Sequence, residues 1–371
     1  MRNTFGRLGG LVLVATSAAT VAVGTRGLAA SPAEVTTVAG SAEKGYRDGR
    51  ASIARFDLPS GLAVDRAGNV YVADAFNYRV RKITPNGQVR TVAGSGTAGF
   101  ADGPASVAQF STVVGLAIRT TGELYVADPE ANRIRKVDSR GSVTTVAGSG
   151  TEGYLDGPGT SARFSGPSGI AVDVAGNLYV ADNYNHRIRK VNPDGIVSTF
   201  AGAGVTVLGD GTGISGSGDG PGATAQFRNP TSLAVDRTGN VFVADYNNSL
   251  IRKITPAGTV STVAGTGDFG FVDGPGKNAQ FSKPVDVDVD AIGNVYVADS
   301  SNYRIRMISP DGFVTTIAGS GTPGYADGPG TNARFGVITS LALDPTGRIL
   351  YVAEDNRIRR ITLRIAPAIR R

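Results

Sequence analysis

The chain of 371 residues has no cysteine, no tryptophan and a single histidine, His186. The lack of cysteine excludes disulfides, thiol nucleophiles and thiolate metal sites. One histidine cannot supply the several imidazole ligands of a zinc hydrolase, and no Ser-His-Asp spacing can be argued around it. Aromatic residues make up only 7% of the sequence, whereas glycine occurs 52 times, which is typical of short strands joined by tight turns.

The stretch TVAGSGTAGFADG at residues 91–103 has the glycine spacing of a dinucleotide-binding loop. Such a loop opens a helix, but here Asp102-Gly103-Pro104 follows, a turn sequence that stops one. The stretch also recurs along the chain, and one dinucleotide does not need several loops. We therefore interpret it as a connector between repeats, in which glycine provides turns with positive φ.

The Asp-Gly pairs of these stretches measure the repeat. Their aspartates stand at positions 48, 102, 156, 219, 273 and 327, a spacing of 54 residues except for one unit with nine more. A fixed period of this size indicates stacked units that form one domain. The extra residues fall in the Gly- and Ser-rich segment 203–218, which is either a flexible loop or a functional projection.

Each unit contains four predicted strands. In the first full unit they cover residues 61–65, 69–74, 79–83 and 89–93, and the turns between them suit antiparallel hairpins. The second strand is apolar on both faces, as expected for a sheet stacked between two neighbours. The sequence therefore predicts an all-β protein, a six-bladed β-propeller of four-stranded antiparallel blades.

The strand count also predicts how the ring closes. One strand of the outer type, at residues 35–39, precedes all other strands, and none follows Ile361. We predict that this N-terminal strand is the outer strand of the last blade, beside residues 357–361, which removes two exposed sheet edges. A recurring phenylalanine is predicted to fill the core between blades, at Phe56, Phe110, Phe164, Phe227, Phe281 and Phe335.

Residues 1–30 stand outside the repeat. Arg2 and Arg7 flank the start of a small apolar stretch, and small residues follow up to Ala30, so we predict a cleaved signal peptide; the alternative is a transmembrane anchor. Cleavage would lower the formal net charge of +6 by three, which removes the case for nucleic-acid binding.

The predicted organisation follows from these boundaries. A signal peptide at 1–30 precedes a propeller at 31–363 and a basic C-terminal tail at 364–371. The protein is predicted to be secreted or periplasmic, to have no membrane span after cleavage, and to be a monomer.

The third unit carries the residues of a known family. It reads GIAVD at 169–173, NLYVAD at 177–182 and NHRIRK at 185–190, and its Asn-His-Arg-Ile core resembles the signature of NHL-repeat proteins. The resemblance covers about residues 35–363 and implies a six-bladed propeller. It does not imply one activity, because similar propellers are protein-binding or RNA-binding modules, extracellular sensor domains and occasionally enzymes.

The loops between second and third strands share one rim with the Gly-rich connectors, because an antiparallel meander turns both toward the same end. On this rim we predict a ligand-binding site formed by Asp182, Asn185, His186 and Arg187. Other units have Tyr, Asn or Ser at the position of His186, which also fits a tolerant surface turn.

Two recurring charges of the rim have alternative interpretations. An arginine follows the second strand in five units, at Arg79, Arg133, Arg187, Arg304 and Arg357. These arginines could form a basic ring, or they could pair with nearby aspartates as part of the scaffold. The aspartate of each Asp-Gly pair, such as Asp102, could bind a ligand or cap its own turn.

The fifth unit departs from the others on its innermost strand. Asp286 and Asp288 stand where the first unit has Gly61 and Ala63, and their spacing places them on one face of the strand near the channel mouth. Carboxylates in such a place need either an Arg or Lys partner or a hard cation such as Ca²⁺, so these two residues are the candidate metal ligands. No other cofactor is indicated.

Two functional classes remain. The first is an exported, non-catalytic propeller that binds a protein, peptide or glycan on its loop rim. The second is a calcium-dependent lactonase or hydrolase of the six-bladed propeller type that uses channel carboxylates. Such enzymes bring acids and amides from several blades to one ion, but the first, third, fourth and sixth units have alanine at the position of Asp288, which favours binding.

Overall fold

A computed structural model describes residues 33–203 and 215–363. They form six antiparallel sheets whose innermost strands each contact the innermost strands of two neighbouring sheets, which closes a ring. The predicted six-bladed β-propeller is therefore confirmed. The predicted signal peptide, the C-terminal tail and most of the nine-residue insertion lie outside the described residues.

We number the blades 1 to 6 in the chain order of their innermost strands. The innermost strands are Pro59–Val64, Leu116–Ile118, Pro167–Val172, Pro230–Val235, Pro284–Val289 and Ile338–Leu343. The second strands are Val70–Asp74, Leu124–Asp128, Leu178–Asp182, Val241–Asp245, Val295–Asp299 and Ile349–Glu354. The third strands are Arg79–Ile83, Arg133–Val137, Arg187–Val191, Leu250–Ile254, Arg304–Ile308 and Arg357–Thr362. The outer strands are Gln88–Ala93, Val143–Ala147, Ile196–Ala201, Thr259–Ala264, Phe313–Ala318 and, for blade 6, Glu34–Gly40.

Short elements lie outside the four main strands of the blades. Two-residue strands follow the connectors at Gly49–Arg50, Gly157–Pro158, Gly220–Pro221, Gly274–Pro275 and Gly328–Pro329. Single 3₁₀ turns occur at Ala75–Asn77, Asn183–Asn185, Tyr246–Asn248, Gly276–Asn278, Ser300–Asn302 and Gly330–Asn332. Each two-residue strand pairs with the start of the outer strand of its blade, for example Gly49 opposite Val89.

The two faces of each sheet pack on different neighbours, because side chains alternate along a strand. Ala63, Ala73 and Val80 of blade 1 pack with Phe110 of the next blade. Leu62, Val72 and Phe56 pack instead with Ala342 and Ala353 of blade 6. The six recurring phenylalanines are completely buried in these interfaces, as predicted.

The N-terminal strand closes the ring. Glu34–Gly40 pairs antiparallel with Arg357–Thr362, with Val35 opposite Ile361 and a bulge between Thr37 and Ala39. Blade 6 is therefore assembled from both ends of the propeller, as the strand count predicts. Within the part of the chain that the structure describes, no helix is long and apolar enough to cross a membrane.

Candidate functional site

A buried arginine of the third strand holds each Gly-rich connector in place. In blade 1, Arg81 Nη1 donates to Asp74 Oδ2 at 2.6 Å, and Arg81 Nη2 donates to Asp48 Oδ1 at 2.5 Å. Further bonds reach the carbonyl oxygens of Arg47 and Arg55. The equivalent arginines are Arg135, Arg189, Arg252, Arg306 and Arg359, and all six side chains are fully buried.

This network corrects two sequence interpretations. The arginine that pairs with aspartate in blade 1 is Arg81, two residues after the proposed Arg79, and the equivalents of Arg81 form the same buried ion pair with an acidic residue in the other five blades. The Asp-Gly aspartate does not cap its own turn: Asp102 accepts from Arg135 Nη2 at 2.6 Å and from the Thr145 amide at 2.9 Å. Both residues are part of the scaffold that fixes the rim.

Burial raises the pKa of the second-strand aspartates. The pKa of Asp74 rises to about 6, although a hydrogen bond from the Asp57 amide and the charge of Arg81 both lower it. Asp128 and Asp245 are raised to about 6 in the same way. These carboxylates are therefore still ionised at neutral pH, where they pair with arginine.

The arginine at the position of Arg79 stacks on an aromatic ring of the connector. The Arg79 guanidinium lies 3.9 Å from the ring centroid of Tyr46 and donates to the carbonyl oxygens of Asn77 and Ser95 at 3.0 and 2.8 Å. The same stacking joins Arg133 to Phe100, Arg187 to Tyr154, Arg304 to Phe271 and Arg357 to Tyr325. The arginines are thus stacked and bonded to carbonyls, which is the arrangement of a scaffold.

The same contact explains the glycine spacing. Gly96 lies against the guanidinium of Arg79, and a Cβ at this position would lie 1.9 Å from Nη2. Gly150 and Gly321 meet Arg133 and Arg304 in the same way. Glycine is required here to let the connector pass over an arginine.

The four predicted ligand-binding residues lie together in blade 3, but three of them are buried. Asp182 Oδ2 accepts from Arg189 Nη1 at 2.6 Å and from Asn185 Nδ2 at 2.8 Å. Arg187 is buried over the Tyr154 ring and donates to the carbonyl oxygen of Asn185. His186 alone is half-buried and reaches the surface.

His186 links blade 3 to blade 4 through a cluster of asparagine amides that was not predicted from the sequence. Its Nδ1 accepts from the Asn229 amide at 3.1 Å. Asn229 Nδ2 donates to Asn183 Oδ1 at 3.1 Å, and Asn247 Nδ2 donates to Asn229 Oδ1 at 2.8 Å. The available signal was the asparagine found at several turn positions of these two units.

The protonation of His186 follows from this arrangement. Burial lowers its pKa, and the charges of Arg187 and Arg228 lower it further. The ring is therefore neutral at pH 7, with Nδ1 as acceptor and Nε2–H as donor.

Exposed aromatic side chains gather on the connector rim, which we define as the Gly-rich connectors together with the turns between second and third strands. Of the exposed aromatic residues in the described ranges, only Phe313 lies elsewhere. Those on the rim are Tyr46, Phe76, Phe100, Tyr184, Phe269, Phe271 and Tyr325. The opposite end, formed by the other two hairpins of each blade, is the hairpin rim.

The innermost strands enclose a central cavity of about 520 Å³. Asp286 lies in its wall and accepts four hydrogen bonds, from Ser232 Oγ, Ser340 Oγ and the amides of Leu341 and Val287. Asp288 accepts from the amides of Leu343 and Val289, both at 2.8 Å. Within the described residues, the hydrogen-bond donors to both carboxylates are seryl hydroxyls and backbone amides rather than Lys or Arg side chains. The metal site at Asp286 and Asp288 stays a prediction.

A second cavity of about 400 Å³ opens toward the hairpin rim. Val64, Val235, Asp288 and Leu343 line both cavities, so Asp288 stands where the two meet. Burial raises the pKa of Asp288 to about 7, while the amides of Leu343 and Val289 lower it. Within residues 33–203 and 215–363, no group of three or more His, Cys, Asp or Glu side chains could hold a metal ion.

Comparison with known proteins agrees with this geometry. The family model of the NHL repeat matches residues 56–83, 164–191 and 227–254, which are equivalent segments of blades 1, 3 and 4. The chain belongs to the NHL-repeat proteins. Each matched segment of this NHL propeller begins at the buried phenylalanine and ends with the third strand. It therefore includes the second-strand aspartate and the third-strand arginine that pair with each other.

Curated relatives share the repeat over most of this chain. NHL repeat-containing protein 2 of Bos taurus is 31% identical over 337 residues, which cover 81% of this chain and 45% of that protein. The chloroplastic protein SUPPRESSOR OF QUENCHING 1 of Arabidopsis thaliana is 31% identical over 286 residues, which cover 74% of this chain and 27% of that protein. The NHL propeller thus spans less than half the length of these relatives.

Solved structures share the fold. A protein of unknown function from Bacteroides thetaiotaomicron superposes with a TM-score of 0.67 at 22% identity, covering 89% of this chain and 76% of the other. The gluconolactonase XC5397 from Xanthomonas campestris superposes with a TM-score of 0.59 at 15% identity, covering 91% and 92%. At these identities the likeness concerns the fold alone.

Proposed function

We propose that this NHL propeller is exported and acts as a non-catalytic binding scaffold whose connector rim takes a protein or peptide partner. The observation that carries the proposal is the gathering of exposed aromatic side chains on one rim. Aromatic residues are enriched in protein interfaces, because they bury a large area at a low cost in conformational entropy. Phe76, Tyr184 and Phe269 are each more than half exposed there.

The rim is also rigid beneath these side chains. Every described connector is tied to the third strand by a fully buried arginine, as Asp48 is by Arg81. A surface held in this way loses little further freedom when it binds, so more of the contact energy appears as affinity. This arrangement supports a binding platform.

Site-specific photo-crosslinking in the native host tests the proposal. A photoreactive residue at Glu130, exposed on the connector rim, should give a discrete adduct, whereas one at Val174 on the hairpin rim should not. Replacing Phe76, Tyr184 and Phe269 together by Ala should lower the adduct yield about tenfold, by analogy with interface hot spots. The matched control replaces Val174, Ile292 and Phe313 on the hairpin rim by Ala.

Equal adduct yields from the two triple variants would contradict a role of the connector rim. Export has a separate test, which is mass analysis of the N-terminus. We expect it between Ala29 and Glu34, and an intact Met1 on the soluble protein would show that no signal peptide is removed.

A calcium-dependent hydrolase is the second candidate, favoured only by Asp286 and Asp288 in the channel wall. Calcium takes six to eight oxygen ligands. The carboxylate of Asp286 already accepts four hydrogen bonds from protein groups. A calcium ion would have to displace these donors, and the channel therefore supports the hydrolase less well than the rim supports binding.

A further inference from the structure

The wall of the central cavity carries negative charge without a basic neighbour. Among the residues that line it, the only charged side chains are Asp286 and Asp288, and none is Lys, Arg or His. A buried charge costs free energy unless it is paired. In the neighbouring scaffold each buried carboxylate has an arginine, as Asp74 has Arg81.

The two carboxylates differ in how far protein donors satisfy them. A carboxylate has about four acceptor sites. The four donors to Asp286 fill that capacity, whereas Asp288 receives only two hydrogen bonds, both from backbone amides. Asp288 is partly accessible, and it lines both cavities, so its remaining acceptor capacity faces the channel.

The hydroxyl groups of the wall provide a second, independent indication. Ser168 Oγ donates to the carbonyl oxygen of Thr231, and Thr231 Oγ1 donates to that of Val285. Thr339 Oγ1 donates to the carbonyl oxygen of Pro59. Because each proton is used within the wall, these hydroxyls can offer only lone pairs to a molecule in the cavity. The wall is therefore rich in acceptors, which suits a ligand rich in donors.

The rest of the lining distinguishes an organic cation from a metal ion. Val64, Val235 and Leu343 line both cavities beside Asp288, whereas the charged side chains of Asp236, Arg237, Asp290 and Asp344 line only the second cavity, toward the hairpin rim. A metal ion needs several oxygen ligands, but a hydrocarbon body needs apolar walls.

We propose that the channel is a binding site for a small organic ammonium compound, with its cationic group at the carboxylate of Asp288 and its hydrocarbon body along the central cavity. A cavity of about 520 Å³ is within the range of small-molecule sites. None of the exposed aromatic residues of the connector rim lines this cavity, so the site goes beyond the proposed function and can fail independently of it.

Titration calorimetry with the full propeller tests this site. The probes are benzylamine, cadaverine and choline, with benzyl alcohol as the uncharged counterpart of benzylamine and calcium chloride as the metal probe. We expect at least one ammonium probe to bind, and benzylamine to bind at least tenfold more tightly than benzyl alcohol. The Asp288→Asn variant should lose at least tenfold in affinity for the ammonium probe.

Two controls keep the result specific. Asp194→Asn removes one negative charge from an exposed turn and should leave the affinity unchanged. Phe76→Ala on the connector rim should also leave it unchanged, which separates this site from the rim. Thermal melts of each variant establish that it is folded.

The proposal would be overturned by any of three results. These are no binding of any ammonium probe, equal binding by Asp288→Asn and wild type, or binding of calcium in preference to the ammonium probes. Binding should also strengthen as the pH rises from 6 to 8, because Asp288 must be ionised. The titratable and charged groups around it are Asp286 on its own strand, Asp290 just after that strand and Tyr296 on the next strand. Asp236, Arg237 and Asp344 line the second cavity with it.

Discussion

The two halves of the channel wall are built differently. Blades 1 to 3 have Gly61, Gly115 and Gly169 at one position of the innermost strand, and the strands there meet closely: a Cβ on Gly115 would lie 2.2 Å from the carbonyl oxygen of Ser168. Blades 4 to 6 have Ser232, Asp286 and Ser340 at the same position, and these side chains bridge the strands by hydrogen bonds.

The difference shows where a repeat protein can vary. Three glycine contacts hold one half of the ring together by close packing and leave no room for other chemistry. The half with side-chain bridges has room for polar groups, and it contains both channel carboxylates. The scaffold is thus repeated six times, whereas the polar part of the channel occurs once.

The largest expected effect comes from exchanging residues between the halves. Gly115→Ser introduces the residue found at positions 232 and 340, but it should lower the free energy of unfolding by about 3 kcal/mol, because the strands must separate. The reciprocal change Ser232→Gly should cost about 1 kcal/mol, through one lost hydrogen bond to Asp286. Urea unfolding measures both, and equal costs would mean that the halves do not differ in packing.

The second expected effect is a pH dependence located in the bridged half. Asp288 has a pKa of about 7 instead of its ordinary 3.8, so between these values the folded protein keeps a proton that the unfolded chain has lost. Stability attributable to Asp288 should therefore fall as the pH rises from about 4 to about 7, by on the order of 3 kcal/mol, and stay constant above. The second-strand aspartates titrate in part of this range, so the measurement is the difference between wild type and Asp288→Asn.

That difference, followed by urea unfolding from pH 4 to pH 8, should shift in favour of the variant up to about pH 7 and then level off. Asp286, Asp290 and Tyr296 face Asp288 and remain in both proteins, so they largely cancel. A difference that does not change with pH would show that Asp288 is ionised throughout, as a strongly paired carboxylate would be.

The smallest expected effect lies where the glycine half meets the bridged half, between blades 3 and 4. His186→Ala should cost about 1 kcal/mol, because the Asn229 amide loses its acceptor. His186→Asn should cost much less, since Asn132 Oδ1 accepts from the Gly166 amide at the equivalent boundary, at 3.0 Å. Thermal melts of the two variants measure the difference. Identical melting temperatures would contradict the role of His186 in linking blades 3 and 4.

Most of the fold could be predicted because the sequence repeats at a regular spacing. The 54-residue spacing indicated six units, and the position of the strand at 35–39 indicated how blade 6 is completed. The pairing of the arginines could not be predicted in the same way. Arg79 and Arg81 both recur in the repeat and lie on one face of the strand, and only the folding of the connector over them decides which one pairs with the two aspartates.

The hydrogen-bond partners of the channel carboxylates were still more difficult to predict from the sequence. Asp286 is bonded to Ser232 and Ser340, which lie 54 residues before and after it. Aligning the six units at this position would have shown three glycines followed by Ser, Asp and Ser. This aligned position, more than the pair of aspartates alone, indicates that side chains of blades 4 to 6 form hydrogen bonds between neighbouring innermost strands.

The Asp-Gly-Pro sequence of the connector has a consequence for the behaviour of the protein at high concentration. In blade 1 the second carboxylate oxygen of Asp48 accepts from the Thr91 amide at 3.0 Å, and Gly49–Arg50 covers the start of the same outer strand. The other five blades place Gly-Pro there, and proline has no amide proton to offer. Six similar outer strands would otherwise have open edges, so we expect the motif to disfavour pairing between the sheets of two propellers.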